Sequence, residues 1–325
     1  MKMAILGAGS IARSMAATIN KMEEVTSYAV ASRDFRKAED FAKEFGFVKA
    51  YGSYGEMLSD PEVELVYVAT PHSHHYEHVK LCLNHGKHVL CEKAFAINAK
   101  QTIEMFDLAK EKNLLLTEAI WTRYLPLRQT LDEIIESGVI GKVSMLTANL
   151  GYVINHVPRL VDPALAGGAL LDLGVYPINF ALMFFGSDIE SIASTAVITD
   201  RGVDSQNSIT FVYKDGKMAV LQSTMLSLTD RQGIISGSKG FIIAENINNY
   251  EWIKVYDINR KELACYEAPK QITGYEYEVR AAIRAIKEGK LECNEMPHAE
   301  SIKVMQIMDA LRKEWGVIYP GEQTI

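Results

Sequence analysis

Gly7-Ala8-Gly9-Ser10-Ile11-Ala12 follows an apolar run at Met3–Leu6 and leads into a segment where Ile11, Met15, Ile19 and Met22 recur at helical spacing. Strand, glycine turn and helix in that order read as a dinucleotide-binding turn. The first glycine bends the chain, the second lets backbone approach a pyrophosphate, and a small third residue, here Ala12, lets helix and strand pack. A helix opening near Ser10 presents unpaired N–H groups and the positive end of its dipole to the anion. Gly7, Gly9, Ser10, Ile11 and Ala12 are therefore the first candidate cofactor-binding residues.

The rhythm continues outward from this turn. Ser27–Ala31, Leu65–Thr70, His88–Cys91 and Leu114–Thr117 read as strands, with Phe35–Phe45, His74–Asn84 and Ala99–Lys112 as helices between them. A βαβα order predicts a parallel, doubly wound sheet of Rossmann type over residues 1–120. After Trp121 the pattern changes: a helix at Leu127–Ser137 stops at Gly138, and β-rich stretches dominate from Lys142 to about Ala268. Lys214-Asp215-Gly216-Lys217, and Ser236-Gly237-Ser238-Lys239-Gly240 before Phe241–Ala244, mark hairpin turns. A closing helix at about 298–315, with Ile302, Met305, Met308, Leu311 and Trp315 on one stripe, packs back on the core. The predicted fold class is α/β: an N-terminal Rossmann domain, then an α+β domain over residues 121–325 with a large, mostly antiparallel open sheet.

Composition narrows the partners. A chain of 325 residues is too long for one small module, and a net charge of -7 with interspersed cations leaves no basic stripe for nucleic acid and no polybasic membrane anchor. Cys82, Cys91, Cys265 and Cys293 form no C-x-x-C pair, which suggests neither a zinc site nor a disulfide framework. No targeting segment and no apolar run of about 18 residues stands out, so a soluble, cytoplasmic protein with small-molecule partners is expected.

The end of the second strand, some 20 residues past the glycines, is where such a fold reads the ribose. Ser32, Arg33 and Asp34 stand there. A hydroxyl beside a guanidinium suits a 2′-phosphate and favours NADP, whereas a carboxylate suits NAD; Ser32 or Asp34 could instead cap the next helix. NADP is preferred and NAD possible. In Ala69-Thr70-Pro71-His72-Ser73-His74-His75 a strand end meets the ligand crevice, making Thr70, Pro71, His72 and His75 candidate cofactor contacts. His74 and His78 have helical i, i+4 spacing, but no carboxylate or cysteine ligand joins them and no metal is expected.

His88-Val89-Leu90-Cys91-Glu92-Lys93 is an apolar strand ending in a charged pair at the same crevice, which adds Glu92 and Lys93 to the cofactor contacts. A lysine beside a nicotinamide can polarise a substrate oxygen or lower a neighbour's pKa. Asp172 and Tyr176 lie one helical turn apart in Gly167-Gly168-Ala169-Leu170-Leu171-Asp172-Leu173-Gly174-Val175-Tyr176-Pro177. An acid in so apolar a run needs a partner, for which Lys93 is the candidate.

AILGAGSIA, VASRD, ATPHSHH, CEKA and RLVDPALAGGALLDLGVYP, in this order over nearly the whole chain, resemble the glucose-fructose oxidoreductase, inositol dehydrogenase and rhizopine-catabolism (Gfo/Idh/MocA) family. EAIWTRYLP, and a second motif ending in Tyr176, resemble the dimeric dihydrodiol dehydrogenase subgroup. The resemblance implies an NAD(P)-dependent oxidoreductase that moves hydride between nicotinamide and a secondary alcohol or carbonyl. It also implies catalytic roles for Lys93, Asp172 and Tyr176, and an aromatic pocket wall at Trp121. Ala94 departs from the family's usual proline after the lysine, which leaves either a trans peptide or a cis one held by its surroundings.

In this reading Tyr176 is the acid/base. A free phenol, with a pKa of about 10, is a poor base near neutrality, and a lysine cation within a few ångströms would stabilise its phenolate. Trp121, Tyr152, Arg159 and Tyr176 are the candidate substrate-binding residues, with Tyr124 and His156 nearby in sequence; such a wall suits a sugar, polyol or cyclic diol. Two alternatives stand beside it: a non-catalytic NADP-sensing regulator of the same fold, and an NAD-dependent glycosidase that oxidises its sugar transiently. The open face of the second sheet could join subunits as a homodimer or homotetramer.

Overall fold

The computed structural model describes residues 1–322. The chain opens with β1 (Lys2–Leu6), α1 (Ser10–Ile19), β2 (Thr26–Ala31), α2 (Phe35–Phe45), β3 (Lys49–Tyr51) and α3 (Tyr54–Leu58). It continues through β4 (Leu65–Val68), α4 (His72–Asn84), β5 (His88–Glu92), α5 (Ala99–Lys112), β6 (Leu116–Ala119), α6 (Pro126–Glu136), β7 (Val143–Gly151) and α7 (Val175–Phe185). Seven strands follow: β8 (Ile189–Ile198), β9 (Asp204–Tyr213), β10 (Met218–Thr224), β11 (Gly233–Gly237), β12 (Gly240–Ala244), β13 (Trp252–Asp257) and β14 (Glu262–Glu267). The helices α8 (Glu276–Lys287) and α9 (His298–Trp315) close the described chain.

Two compact units result: Met1–Ile120 with Gln271–Met305, and Trp121–Lys270 with Gln306–Ile325. The first holds the expected parallel sheet, six strands in the order β3-β2-β1-β4-β5-β6. Strand order reverses between β1 and β4, the switch point at which open α/β sheets bind ligands. Local chemistry sets the helix ends. Asp34 caps α2 by accepting the Arg36 amide, and Gly46 ends it in a left-handed conformation. Asn98 caps α5 by accepting the Gln101 amide.

Three features of this unit differ from the sequence reading. Asn113 turns left-handed at the end of α5 and Leu114 donates back to the Ala109 carbonyl at 3.0 Å, so β6 starts at Leu116 rather than at Leu114. The strand β3 and the helix α3, three and five residues long, are too short for periodicity to reveal. The segment 271–305, which sequence rhythm groups with the second half, folds with the first unit. There α8 packs on β5, Leu116 donates to the Leu291 carbonyl at 3.1 Å, and the Ser301 hydroxyl donates to buried Glu118 at 2.7 Å.

The second unit contains an eight-stranded sheet in the order β14-β13-β12-β11-β7-β10-β9-β8. It is antiparallel except where β10 runs parallel to β7. The 214–217 and 236–240 turns join β9 to β10 and β11 to β12, as their glycines suggest. Leu146, Ile209, Phe211, Leu221, Ile235 and Ile242 are buried on one face, where α7 packs on β7 and β10 and α6 on β13. Pro163–Phe185 is long and apolar enough by composition to cross a bilayer, and 89% of its 18-residue apolar window is buried inside the protein.

Candidate active site

The turn after β1 has the shape its residues suggest. Gly7 adopts φ +108°, and a Cβ there would press on the Ala69 carbonyl at 2.9 Å, so the turn closes on the end of β4 only with glycine. Gly9 is exposed, and a Cβ on it would meet nothing within 4 Å, which leaves its backbone open to a ligand. Gly9 precedes α1 without a side-chain cap, and no acidic residue stands in the first helical turn. No side-chain cap thus competes with an anion for the first amides of α1, while Ala12 is buried. These residues fit a dinucleotide pyrophosphate.

Asp34 caps α2, its Oδ1 accepting the Arg36 amide at 3.0 Å. Ser32 is buried and accepts the Asp34 amide at 3.3 Å, while Arg33 is exposed. Arg33 also acts on the histidines after β4. His74 and His78 stack at 5.7 Å, and both are held toward the neutral form by burial first and then by charges that include Arg33. Thr70 Oγ1 lies 2.9 Å from His78 Nδ1. His72 is buried and Pro71 half-buried.

His75 is fully buried between two carbonyls, with Nε2 2.7 Å from Thr70 O and Nδ1 2.9 Å from Ala94 O. The neutral ring has one N–H and donates to one of these carbonyls, in the loop after β4 or on the residue that follows Lys93, according to its tautomer. Burial pushes this ring down to about 4, against the pull of both carbonyls. An unfolded histidine titrates near 6.5, so the stability of the neutral ring is complete above that pH and is lost as pH falls toward about 4. The loss is on the order of 3 kcal/mol. Urea unfolding from pH 7 to 4 is expected to show this decline, and a shallower one in His75→Gln.

Glu92 and Lys93 end β5. Glu92 is buried; its Oε1 accepts the Tyr67 hydroxyl and its Oε2 accepts the Lys93 amide at 3.3 Å. The Lys93–Ala94 peptide is cis, and the Lys93 side chain is half-buried. Sequence reasoning missed Glu278 on α8. It is fully buried, and desolvation together with the Glu92 charge pushes its carboxyl well above the usual range. An acidic residue on an amphipathic helix carries no sign of this in sequence.

In the second unit Asp172 is buried within a π-helical turn, Leu170–Gly174, that runs directly into α7. The sequence suggests a regular α-helix here; the wider turn is a correction, and such single turns recur at functional sites. Tyr176, also buried, is the second residue of α7. Arg159 reaches Asp172: Nη1 and Nη2 both lie 3.2 Å from Oδ1. Trp121 Nε1 donates to Asn248 Oδ1 at 2.9 Å, and Asn248 Nδ2 reaches the Tyr152 hydroxyl at 3.4 Å. Arg231 Nη1 is 3.5 Å from the same hydroxyl. Trp121 and Tyr152 are thus linked by Asn248, a loop residue without a sequence signal. Tyr124 is buried and His156 exposed.

Comparison with known proteins agrees with this fold. Residues 1–120 match the model of an oxidoreductase family with an NAD-binding Rossmann fold, and residues 128–243 match the Gfo/Idh/MocA C-terminal domain. A trans-1,2-dihydrobenzene-1,2-diol dehydrogenase of Xenopus tropicalis is 34% identical over 98% of this chain and 99% of its own. The enzyme of that name from Mus musculus is 34% identical over 99% of each chain. Among solved structures, a 3-ketoreductase from Actinomadura kijaniata in complex with NADP and TDP-benzene superimposes with a TM-score of 0.87 at 25% identity, covering 96% of this chain and 97% of that one. An aldose-aldose oxidoreductase from Caulobacter crescentus has the same fold, with a TM-score of 0.87 at 21% identity over 97% of each chain. A glycine turn open to a pyrophosphate, on a sheet wound in this order and followed by this second sheet, therefore has a known lineage: the chain belongs to the Gfo/Idh/MocA family of oxidoreductases.

Proposed function

We propose that this protein is an NADP-dependent dehydrogenase of secondary alcohols in cyclic diols or sugars, with Tyr176 as acid/base assisted by Lys93 and Asp172. The observation that carries the chemistry is the π-helical turn, which buries the carboxylate of Asp172 four residues before the phenol of Tyr176. The substrate class follows the full-length relatives, which are named dihydrodiol dehydrogenases. It also suits Trp121, Tyr152 and Asn248, which combine aromatic surface with hydrogen-bonding groups.

Bound NADP supplies the hydride acceptor in oxidation and the hydride donor in reduction. The residues of the chain handle the proton. Tyr176 takes it from the substrate hydroxyl and returns it in the reverse direction, Lys93 supplies the cation that favours the phenolate, and Asp172 supplies the matching anion. Turnover of trans-dihydrodiols, aldoses and polyols, followed at the absorbance of the reduced nicotinamide with NADP and NAD in parallel, tests this reading. Net NADPH formation is the expected result. Tight binding without turnover would favour a regulator, and sugar release without net cofactor change a glycosidase.

The preference for NADP rests on Ser32 and Arg33, a hydroxyl beside an exposed guanidinium that suits a 2′-phosphate, while the Asp34 carboxylate accepts the Arg36 amide. Arg33→Ala is expected to weaken NADPH binding about ten- to hundredfold and NADH binding less than about threefold, as read by cofactor fluorescence titration. Assembly as a homodimer or homotetramer through the second sheet is part of the same proposal. It is supported by Met145, Val197 and Met218, exposed on the sheet face away from α7.

A further inference from the structure

The helical run carrying Asp172 and Tyr176 is held at its start by a side chain distant in sequence. Ala169, just before the π-helical turn, provides no side-chain cap. Asp204, the first residue of β9, takes that place: its Oδ2 accepts the Leu170 amide at 2.8 Å and Asn207 Nδ2 at 2.9 Å. Asn207 Oδ1 in turn accepts the hydroxyl of Ser223, its register partner on β10, at 2.9 Å. Asp204 is fully buried, and Asn207 and Ser223 nearly so.

The site is shaped for this carboxylate. Gly168 adopts φ +117°, and a Cβ there would collide with Asp204 Oδ1, an oxygen with no hydrogen-bond partner among the described residues. The preceding residue is fixed as well, since the Tyr319 hydroxyl donates to the Gly167 carbonyl at 2.7 Å. Burial pushes the Asp204 carboxyl up to about 6, against the donors Asn207 and Leu170 and the charge of Arg312.

We propose that Asp204 is a positioning residue: by fixing the Leu170 amide it sets the height and rotation of the run that presents Asp172 and Tyr176. Asp172 follows Leu170 by two residues and Tyr176 by six, so slack at the Leu170 amide is transmitted to both. Displacing a reacting group by about 1 Å can cost on the order of 10²-fold in rate. The inference rests on the assignment of Tyr176 as acid/base.

The test compares Asp204→Ala and Asp204→Asn, with kcat expressed per NADPH-binding site so that unfolded protein does not count. Asp204→Ala is expected to lower kcat about 10- to 100-fold with KM and the NADPH dissociation constant within about threefold. Asp204→Asn, whose amide oxygen can still accept from Leu170, should retain at least about half of kcat. Hydrogen exchange at the amides of residues 170–176 should accelerate in Asp204→Ala and not in Asp204→Asn. If Asp204→Ala does not fold, Asn207→Ala, which removes one donor from Oδ2, is read in the same way, with a smaller fall in kcat.

Wild-type kcat per site in the alanine variant, or an asparagine variant as slow as the alanine one, overturns the proposal. Absence of turnover in the wild-type protein would instead overturn the reading of Tyr176. The exchange measurement would then still decide whether Asp204 holds the run: unchanged exchange in the alanine variant overturns that hold.

Discussion

Tyr176→Phe is expected to lower kcat by on the order of 10² to 10⁴ while NADPH affinity stays within about twofold. The substitution removes one oxygen and leaves the ring, so the packing of a residue only 7% exposed on α7 is kept. With Tyr176 as the proposed acid/base, loss of the hydroxyl leaves the substrate proton without its proposed acceptor, and alkoxide formation becomes limiting. Stopped-flow turnover with a saturating diol, beside a fluorescence titration of NADPH, separates the two effects. A variant with wild-type kcat would remove Tyr176 from the chemistry.

Lys93→Met should cost a comparable factor, on the order of 10² to 10³ in kcat, and should move the alkaline rise of the pH–rate profile upward. The ammonium is the cation proposed to favour the phenolate, and methionine keeps much of its length without the charge. If the two residues serve one proton transfer, Lys93→Met/Tyr176→Phe should be no more than about tenfold slower than the worse single variant, because groups acting as a unit are strongly non-additive. Fully multiplicative losses would show separate roles. The NADPH dissociation constant of Lys93→Met distinguishes a chemical defect from lost cofactor contact.

Much of the first unit was legible because its signals are local. Phe35–Phe45 and Ala99–Lys112 carry an apolar period together with their own caps, Asp34 and Asn98, and both helices form over those residues. The pairing of β7 with β10, the return of 271–305 to the first unit and the π-helical turn at Leu170–Gly174 depend on partners distant in sequence. At the candidate site, glycines and charged strand ends announce themselves. Asn248, Asp204 and Glu278 do not, since a buried polar side chain is defined by what surrounds it rather than by its neighbours along the chain. Asp34 shows the same limit: cap and ribose reader call for the same carboxylate at the same place, and the Arg36 amide reveals the cap.

The return of 271–305 bears on anyone who would excise the nucleotide half for use elsewhere. A fragment cut at Ile120 would strip α8 from β5, bare the Leu116 amide and leave the Glu118 carboxylate without Ser301. A portable version has to splice the late segment back to the early one, with a designed linker in place of the 150 residues from Trp121 to Lys270.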